Sequence, residues 1–529
     1  MKRYLKSDVF ISIIFFLTAL LSRIPFYDKV LFYWDSGDFA LALERFDIAK
    51  QQPHPPGYLF YILAAHFFNF FLNDANDALV ALSILGGAIS VVLIFIIGKS
   101  IFNREVGITA AILLLFSPLV WSYAEISLSY EIEMPLVLAS VWFLYQMYYH
   151  RRYSMATAIL IGMAAGVRED FLLFLGPFFI VASIRIGGRS MLLSWLAILA
   201  AILTWLIPIT HSVGSFTNLR YLYSQQFNIA IRPTSFLAIG YHALINNGKE
   251  IFKDILWFLG LTTIVLALAV IHFFNKSNIR GQAGAGLRAL FIMLLTVPAF
   301  FYFLLFQTEQ PSFIVSYLAP LMLVVAYLIV LMVTNLTMKV TLAHRDGGRN
   351  YFGMVLAGLL VIISLTNSYL FLHGLGQGNS MFFRDSLRGF QNSEVKTRAL
   401  LNVVKQFDPD KTVIICKRTD SSEDLDWRRL MYYLPDYRVI GLVTDEPLLN
   451  RHEYHDAQHH EASLHQKADV VLSSGMKQAL FIDIAPVGQQ APSRLISFSQ
   501  DKTIKPIIVV NITNKKKLVS ESYLLKIGA

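Results

Sequence analysis

The stretch ALVALSILGGAISVVLIFIIG, residues Ala78–Gly98, runs for 21 residues without a charged side chain. A helix of about 20 apolar residues is long enough to cross the roughly 30 Å hydrocarbon core of a bilayer. The rest of the chain has the same character, since 55% of its 529 residues are hydrophobic and only 15% are charged. This composition is too apolar for an average soluble domain and predicts an α-helical polytopic membrane protein.

Similar apolar stretches lie on both sides of Ala78–Gly98. The first meets Arg23 and Pro25 without a small-residue cleavage site, so we interpret it as a retained helix and not as a signal peptide. In total we predict about eleven transmembrane helices, near residues 8–25, 78–98, 106–124, 133–149, 154–167, 170–185, 190–211, 254–275, 286–307, 312–334 and 350–372.

The orientation of these helices depends on a twelfth apolar run, Gly57–Leu72. Lys and Arg accumulate in short cytoplasmic loops. If Gly57–Leu72 does not cross the membrane, five basic clusters fall on the inner side: Lys99 with Arg104, Arg151 with Arg152, Arg185 with Arg189, Lys276 with Arg280 and Arg288, and Lys339 with Arg345 and Arg349. We therefore interpret Gly57–Leu72 as a juxtamembrane or re-entrant helix, with a cytoplasmic N-terminus and an extracytoplasmic C-terminal part.

The composition changes after residue 372, where short β-branched runs begin. We predict a transmembrane domain over 1–372, with outer loop 26–77 and its juxtamembrane helices, and a soluble extracytoplasmic α/β domain over 373–529. The histidine-rich segment 452–465 lacks the spacing of an H-E-x-x-H zinc site, so we interpret it as a solvated polar loop. The strands are expected at 412–416, 438–443, 468–472, 479–484 and 506–511, with helices at 393–407 and 423–433.

Charge, cysteine content and missing motifs exclude several classes of protein. The net charge of +9 is spread over short clusters between apolar runs, which does not indicate a nucleic-acid partner. Cys416 is the only cysteine, so an internal disulfide framework and a cysteine metal cluster are excluded. The sequence has no Walker A motif and no G-x-G-x-x-G after a strand, which argues against ATP-driven transport.

Outer loop 26–77 contains two motifs that can carry chemistry. They are YWDSGD at Tyr33–Asp38 and QQPHPPGY at Gln51–Tyr58. A short helix over Ser36–Arg45 would place Asp35 and Asp38 on one face or at its N-cap, and helix capping is the structural alternative for Asp35. Prolines on both sides restrict the backbone at His54, and charged groups held against a bilayer are usually functional.

These motifs, a second acidic outer loop and an outer C-terminal domain resemble the GT-C superfamily of integral-membrane glycosyltransferases. The chain is most similar to protein O-mannosyltransferase-like enzymes and, more distantly, to aminoarabinose transferases acting on lipid A. The resemblance covers roughly the first 190 residues and implies a cell-envelope enzyme that transfers a sugar from a polyprenyl-phosphate donor to a lipid, glycan or protein hydroxyl, with inversion. It implies that Asp35 is the base. Mannosyltransferases often have Asp-Glu where this chain has Asp35-Ser36, and Asp38 then supplies the second carboxylate.

The resemblance also implies substrate-binding residues on the outer side. Besides His54, an acidic residue of the second outer loop would orient acceptor or sugar; Glu125, Glu131 and Glu133 are the candidates, with the choice between Glu131 and Glu133 open. Their alternative role is stabilisation of a helix dipole.

A lipid phosphate needs a fixed cation, and guanidinium offers bidentate geometry. Arg168 is the leading candidate, followed by Arg220 and Arg232. An internal salt bridge from Arg168 to Glu169 or Asp170 is the alternative. No cofactor is assigned from the sequence, and a divalent metal ion stays open.

A second class of function is a secondary transporter or a flippase of lipid-linked sugars. Transporters place ionisable residues near the bilayer midplane, commonly in broken helices of repeated halves. Here the carboxylates gather in predicted outer loops and the sequence shows no internal repeat. The pattern favours the enzyme.

Single cysteines in a Cys416→Ser background test this topology. A thiol reagent that cannot cross membranes is expected to label Ser224→Cys and Ser463→Cys in intact cells, because both positions are predicted to be extracytoplasmic. Arg152→Cys, in a predicted inner loop, is the control and should be labelled only after the membrane is permeabilised. The opposite labelling pattern would reverse the predicted orientation.

Overall fold

A computed structural model gives the architecture of the chain. It consists mainly of helices, with a strand-rich region near the C-terminus. The residues that the structure describes are 2–274, 283–306, 312–343, 348–377, 380–417, 426–442, 454–465, 467, 469–472, 474–482, 494–496, 507–512, 518–520 and 523–527.

The helices carry the first part of the chain and continue into the C-terminal region. They are α1 (Lys2–Arg23), α2 (Trp34–Glu44), α3 (Leu59–Leu72), α4 (Ala75–Ile101), α5 (Arg104–Leu115), α6 (Pro118–Ala124), α7 (Tyr130–His150), α8 (Ser154–Ala164), α9 (Asp170–Ile186), α10 (Gly188–Ser212), α11 (Phe216–Gln226), α12 (Phe236–Ile239), α13 (Tyr241–Leu259), α14 (Thr262–Phe274), α15 (Ala283–Leu305), α16 (Ser312–Ala343), α17 (Gly348–His373), α18 (Met381–Arg384), α19 (Leu387–Val404) and α20 (Trp427–Tyr433).

Contacts between residues divide the chain into two compact units. The first contains residues 1–27, 55–376 and 380–388, and the second contains 28–54, 377–379 and 389–529. The segment Asp28–His54, which bears the YWDSGD motif, therefore belongs to the same unit as the C-terminal strands. The domain bounds 1–372 and 373–529 stay a prediction.

The first unit holds the membrane-spanning helices, which confirms the predicted fold class. Among the described residues, five helices are long and apolar enough to cross a membrane, or seven if each of two bent pairs is one span. The other four predicted spans coincide with α1, α7, α8 and α9. Helix α3 has 14 residues and is about 21 Å long, less than the hydrocarbon thickness. Lys276, Arg280, Arg345 and residues 308–311 of the predicted loops lie outside the described residues.

Two predicted spans are bent, which hydropathy alone does not reveal. The pair α5 and α6 bends by 60° before Pro118, and α13 and α14 bend by 96°. At the second bend Gly260 has a positive φ of 54°, and the Leu261 N–H donates to the Asn367 side-chain oxygen (2.8 Å). The apolar stretch predicted as a span at 254–275 is therefore broken at Gly260, and most of residues 212–253, between two predicted spans, is helical.

The second unit contains two sheets. The larger has seven strands in the order β4-β3-β2-β1-β6-β8-β7, with β1 parallel to both β2 and β6, and the smaller has the order β5-β10-β9. All five predicted strands are present. The strands are β1 (Thr412–Lys417), β2 (Arg438–Leu442), β3 (Tyr454–Gln458), β4 (Glu461–His465), β5 (Asp469–Leu472), β6 (Gln478–Ile482), β7 (Arg494–Ile496), β8 (Ile507–Asn511), β9 (Leu518–Ser520) and β10 (Tyr523–Ile527).

The histidine-rich segment forms a β-hairpin, so its prediction as a solvated loop was wrong for the described residues 454–465. Strands β3 and β4 pair antiparallel across His459 and His460, whose φ angles are both positive. A two-residue hairpin turn of this kind usually contains Asn-Gly or Asp-Gly. Histidines in both positions gave no turn signal in the sequence.

Helix α2 contributes to the core of the C-terminal sheet. Trp34 and Leu41 of α2 lie in one buried cluster with Trp427 and Leu430 of α20 and with strand residues such as Ile414. Burying side chains of this size stabilises a fold by about 1.5–3 kcal/mol each. The motif-bearing helix is therefore an integral part of the second unit.

Close packing of α4 on α5 depends on glycine at Gly107. A Cβ atom there would lie 2.5 Å from the Phe95 carbonyl oxygen and 2.9 Å from the Lys99 nitrogen. Gly107→Val is expected to destabilise the purified protein by about 1–3 kcal/mol in thermal unfolding, because the backbone of α4 must move. Gly358→Val in α17, where a Cβ meets nothing within 4 Å, is the control. Equal losses in the two variants would contradict the packing argument.

Candidate active site

Helix α2 carries both carboxylates of the YWDSGD motif. It covers Trp34–Glu44, close to the predicted Ser36–Arg45. Asp35 lies in the first turn, where the helix dipole stabilises a negative charge, and Asp38 follows three residues later. The Tyr33 N–H donates to the Ser36 hydroxyl (3.4 Å), so Ser36 makes a capping contact at this helix start.

The two carboxylates have different surroundings. The Asp38 side chain is fully buried, its Oδ2 lies 2.8 Å from His54 Nδ1, and its Oδ1 forms an ion pair with Arg428. The Asp35 side chain is 14% exposed, and its Oδ1 lies 3.8 Å from the same nitrogen of His54. Asp35 is thus the accessible carboxylate, whereas both oxygens of Asp38 are engaged. This arrangement suits Asp35 to exchange a proton with a ligand and Asp38 to orient its neighbours.

Arg428 of α20 completes the group around Asp38. Its guanidinium lies over the Trp34 ring (4.1 Å to the centroid) and near the Trp427 ring (5.1 Å), and it donates to the Gln51 side-chain oxygen. Burial lowers the pKa of Arg428 to about 9, and the negative charge of Asp35 acts in the opposite direction. Because Arg428 stays cationic at neutral pH, it neutralises the buried Asp38 carboxylate.

The backbone before α2 is held by the same helix α20. Arg429 donates to the Phe32 carbonyl (2.6 Å), and its Nε donates to Asp426 (2.6 Å). The Leu31 N–H donates to the Tyr433 hydroxyl (2.7 Å). Asp426 in turn caps α20. Arg429 and Tyr433 therefore fix the backbone that leads into the motif.

Sequence reasoning did not identify Arg428 and Arg429. It predicted the helix that contains them, but adjacent arginines on a helix of a soluble domain usually face solvent. The sequence offered two indications, namely Trp427 directly before Arg428 and the motif residue Asp38, for which no partner was assigned. A contact between residues 390 positions apart leaves no local pattern in the sequence.

A second charged cluster lies in the first unit around Arg168. Its Nε lies 2.9 Å from Asp170 Oδ2, its Nη1 lies 3.5 Å from Glu133 Oε2, and its guanidinium lies 5.3 Å from the centroid of the Tyr130 ring. The Ser129 hydroxyl donates to the other oxygen of Glu133 (2.6 Å). The structure thus contains the internal salt bridge to Asp170 that the sequence left as an alternative, and it brings Glu133 to Arg168.

The other two predicted glutamates of this unit lie near Arg23. Trp121 donates to Glu125 (3.0 Å), and the Arg23 guanidinium lies 4.4 Å from the centroid of the Trp121 ring. Glu131 is fully buried, and a Cβ on Gly87 of α4 would lie 2.9 Å from its Oε2. Both glutamates interact electrostatically with Arg23. From the sequence, Arg23 was recognised only as the end of the first predicted span and not as a residue of this cluster.

The two remaining arginine candidates lie at the surface of the first unit. Arg220 is exposed on α11, and Arg232 is exposed and lies 3.4 Å from the Asn228 side-chain oxygen. Neither has a described ion pair with Glu133 or Asp170. Their assignment as phosphate ligands stays a prediction from the sequence.

Within the described ranges, Asp35, Asp38 and His54 form the single group of three side chains that could hold a metal ion. Their ligand atoms lie within 4.8 Å of one another. Carboxylate and imidazole donors suit several divalent metals. However, Arg428 already pairs with Oδ1 of the buried Asp38, so a metal would replace the hydrogen bond between Asp38 Oδ2 and His54 Nδ1 and bring a second cation to the same carboxylate. The residues therefore do not fit a resident metal ion.

Comparisons with known proteins agree with the motifs. Residues 53–213 match the family model of dolichyl-phosphate-mannose-protein mannosyltransferases, a range that includes the HPPG motif, Glu133 and Arg168. No curated protein sequence matches the chain. The structure is similar to ArnT from Cupriavidus metallidurans bound to undecaprenyl phosphate, with 11% identity, a TM-score of 0.50, and coverage of 88% of this chain and 98% of that chain.

Two other solved structures are similar at lower TM-scores. They are apo ArnT from the same organism (12% identity, TM-score 0.49, coverage 88% and 97%) and the Archaeoglobus fulgidus oligosaccharyltransferase tethered with an acceptor peptide (11% identity, TM-score 0.43, coverage 82% and 63%). ArnT and the oligosaccharyltransferase are both GT-C glycosyltransferases. The family-model match and the fold shared with ArnT bound to undecaprenyl phosphate confirm the resemblance inferred from the motifs.

Metal analysis of the purified protein tests the conclusion about the Asp35, Asp38 and His54 group. The protein is expected to contain far less than one divalent metal per chain by elemental mass spectrometry, and EDTA should not change its melting temperature. Stoichiometric metal that is lost in an Asp38→Asn variant would contradict this conclusion.

Proposed function

On the premise of a GT-C-type fold, we propose that the protein is an extracytoplasmic glycosyltransferase that moves one sugar from a polyprenyl-phosphate donor to an acceptor hydroxyl. The observation that carries the proposal is the accessible Asp35 carboxylate next to the fully engaged Asp38 and His54. The mannosyltransferase match and the similarity to ArnT bound to undecaprenyl phosphate support the donor class.

The proposed reaction is a single displacement at the anomeric carbon. The acceptor hydroxyl gives its proton to Asp35, and its oxygen forms a bond to the anomeric carbon. The bond between that carbon and the phosphate oxygen breaks, and its electron pair leaves with the polyprenyl phosphate. One displacement inverts the anomeric centre, and no covalent enzyme intermediate is needed. A positioned general base of this kind contributes about 10²–10⁴-fold to a rate.

His54 and Asp38 support Asp35 in this proposal. The His54 ring nitrogen near both carboxylates can donate to Asp38 and hold His54 against α2. Asp38, which the sequence suggested as a second catalytic carboxylate, has no oxygen left for a substrate proton. We therefore assign it an orienting role.

The donor phosphate is assigned to the Arg168 cluster. Glu133 and Asp170 hold the guanidinium in a fixed orientation, and a planar guanidinium can bind a phosphate in bidentate fashion. Glu133 is thus favoured over Glu131 as the acidic residue that acts in this cluster, because Glu133 contacts Arg168, whereas Glu131 lies beside α4 and interacts with Arg23. The acceptor class, whether lipid, glycan or protein, stays open in this proposal, as does the type of sugar.

Asp35→Asn tests the proposed base, because the amide keeps the side-chain volume and cannot accept the proton. With a polyprenyl-phosphate sugar and its acceptor, kcat is expected to fall by about 100- to 10,000-fold while KM for the donor changes little. The measurement is the turnover of purified protein in lipid nanodiscs.

Asp47→Asn is the matched control in the same segment. Asp47 caps a short helical turn by accepting from Lys50 (3.3 Å), and Asn caps about as well as Asp. Its turnover should stay within about twofold of the wild-type value. Wild-type turnover in Asp35→Asn would rule out Asp35 as the base.

A further inference from the structure

We propose that Arg428 is a positioning residue of the transfer reaction, through which helix α20 of the C-terminal region holds the catalytic helix α2 in place. The inference rests on the proposed function. The C-terminal region would then contribute to catalysis as well as to stability, because Arg428 sets the geometry of the Asp38 carboxylate.

Arg428 balances the negative charge of Asp38. The Asp38 side chain is 0% exposed and the Arg428 side chain is 2% exposed, and the two form an ion pair. A buried carboxylate that loses its paired cation must take up a proton or move towards water. Either change would alter the partner of His54, and His54 also lies next to Asp35.

Two tryptophan rings pack against the Arg428 guanidinium. Trp34 directly precedes Asp35, and Trp427 directly precedes Arg428. The two indole rings pack edge to face with centroids 5.9 Å apart, and the guanidinium lies over Trp34 at 4.1 Å. Arginine is suited to this place because its flat cation stacks on aromatic rings, whereas a lysine ammonium does not.

Helices α2 and α20 approach each other closely at Gly37. A Cβ atom there would lie 3.3 Å from Arg429 Cγ and 3.4 Å from the Arg429 nitrogen. The glycine of the YWDSGD motif therefore leaves room for α20. Together with the Arg429 bond to the Phe32 carbonyl, this packing leaves α2 little freedom to shift.

Arg428 acts through other residues and does not contact a substrate. Its side chain is almost fully buried, and its described partners are Asp38, Gln51 and the two tryptophans. A phosphate-binding arginine would present donors to an open surface. The expected effect of a substitution is thus on kcat and on the order of α2, with little effect on donor binding.

The test compares Arg428→Lys with the wild type. Lysine keeps the charge but loses the stacked, planar geometry, so kcat is expected to fall about 10- to 100-fold while KM for the donor stays within about twofold. Hydrogen exchange of the amides of residues 34–44 should become faster. Arg438→Gln is the matched control. Arg438 pairs with Asp456 (2.9 Å) in the seven-stranded sheet, so this substitution should change neither kcat nor the amide exchange of residues 34–44.

A double variant keeps the test informative if single changes unfold the protein. Asp38→Asn with Arg428→Gln removes both charges together and leaves no unpaired buried ion. If Arg428 acts through Asp38, the kcat of the double variant should match that of Asp38→Asn alone. Losses that multiply would overturn the proposal.

Unchanged exchange of residues 34–44 in Arg428→Lys, or a wild-type kcat, would also overturn it. If the wild-type protein transfers no sugar, the proposed function fails, and the exchange data alone decide whether Arg428 positions α2.

Discussion

The buried ion pair between Asp38 and Arg428 is the constraint on which the arrangement of the candidate site depends. Two charges removed from water are tolerated when they neutralise each other and have further contacts around them. Here the partners are His54, Gln51 and the faces of two tryptophans. The pair therefore requires α2, α20 and His54 to come together, in keeping with residues 28–54 belonging to the unit of the C-terminal strands.

This constraint separates the roles of two carboxylates that look equivalent in the sequence. Asp38 is buried and supports its neighbours, whereas Asp35 keeps an exposed edge beside His54. A similar division occurs in the first unit, where Glu133 contacts Arg168 but Glu131 is enclosed against the glycines of α4. Exposure distinguishes Asp35 from Asp38, and the identity of the partner distinguishes Glu133 from Glu131.

The sequence predicted the parts of the structure that have a local cause. Apolar runs gave the membrane helices, β-branched runs gave five strands of the C-terminal sheets, and the motif gave α2. It failed where the cause is non-local or unusual. The bend at Gly260 depends on an Asn367 side chain about a hundred residues away, and the turn at His459 lacks the usual residues. Arg428 was missed because only the fold brings it to Asp38.

The central claim, that the chain cleaves a polyprenyl-phosphate sugar and transfers the sugar in one displacement, is tested most directly by the fate of the donor. Purified protein in vesicles would be given a donor labelled in both sugar and lipid, together with an acceptor. The account predicts equal amounts of free polyprenyl phosphate and glycosylated acceptor, with an inverted anomeric centre by NMR. Intact donor recovered on the opposite leaflet, with no free polyprenyl phosphate, would contradict the account and indicate a flippase.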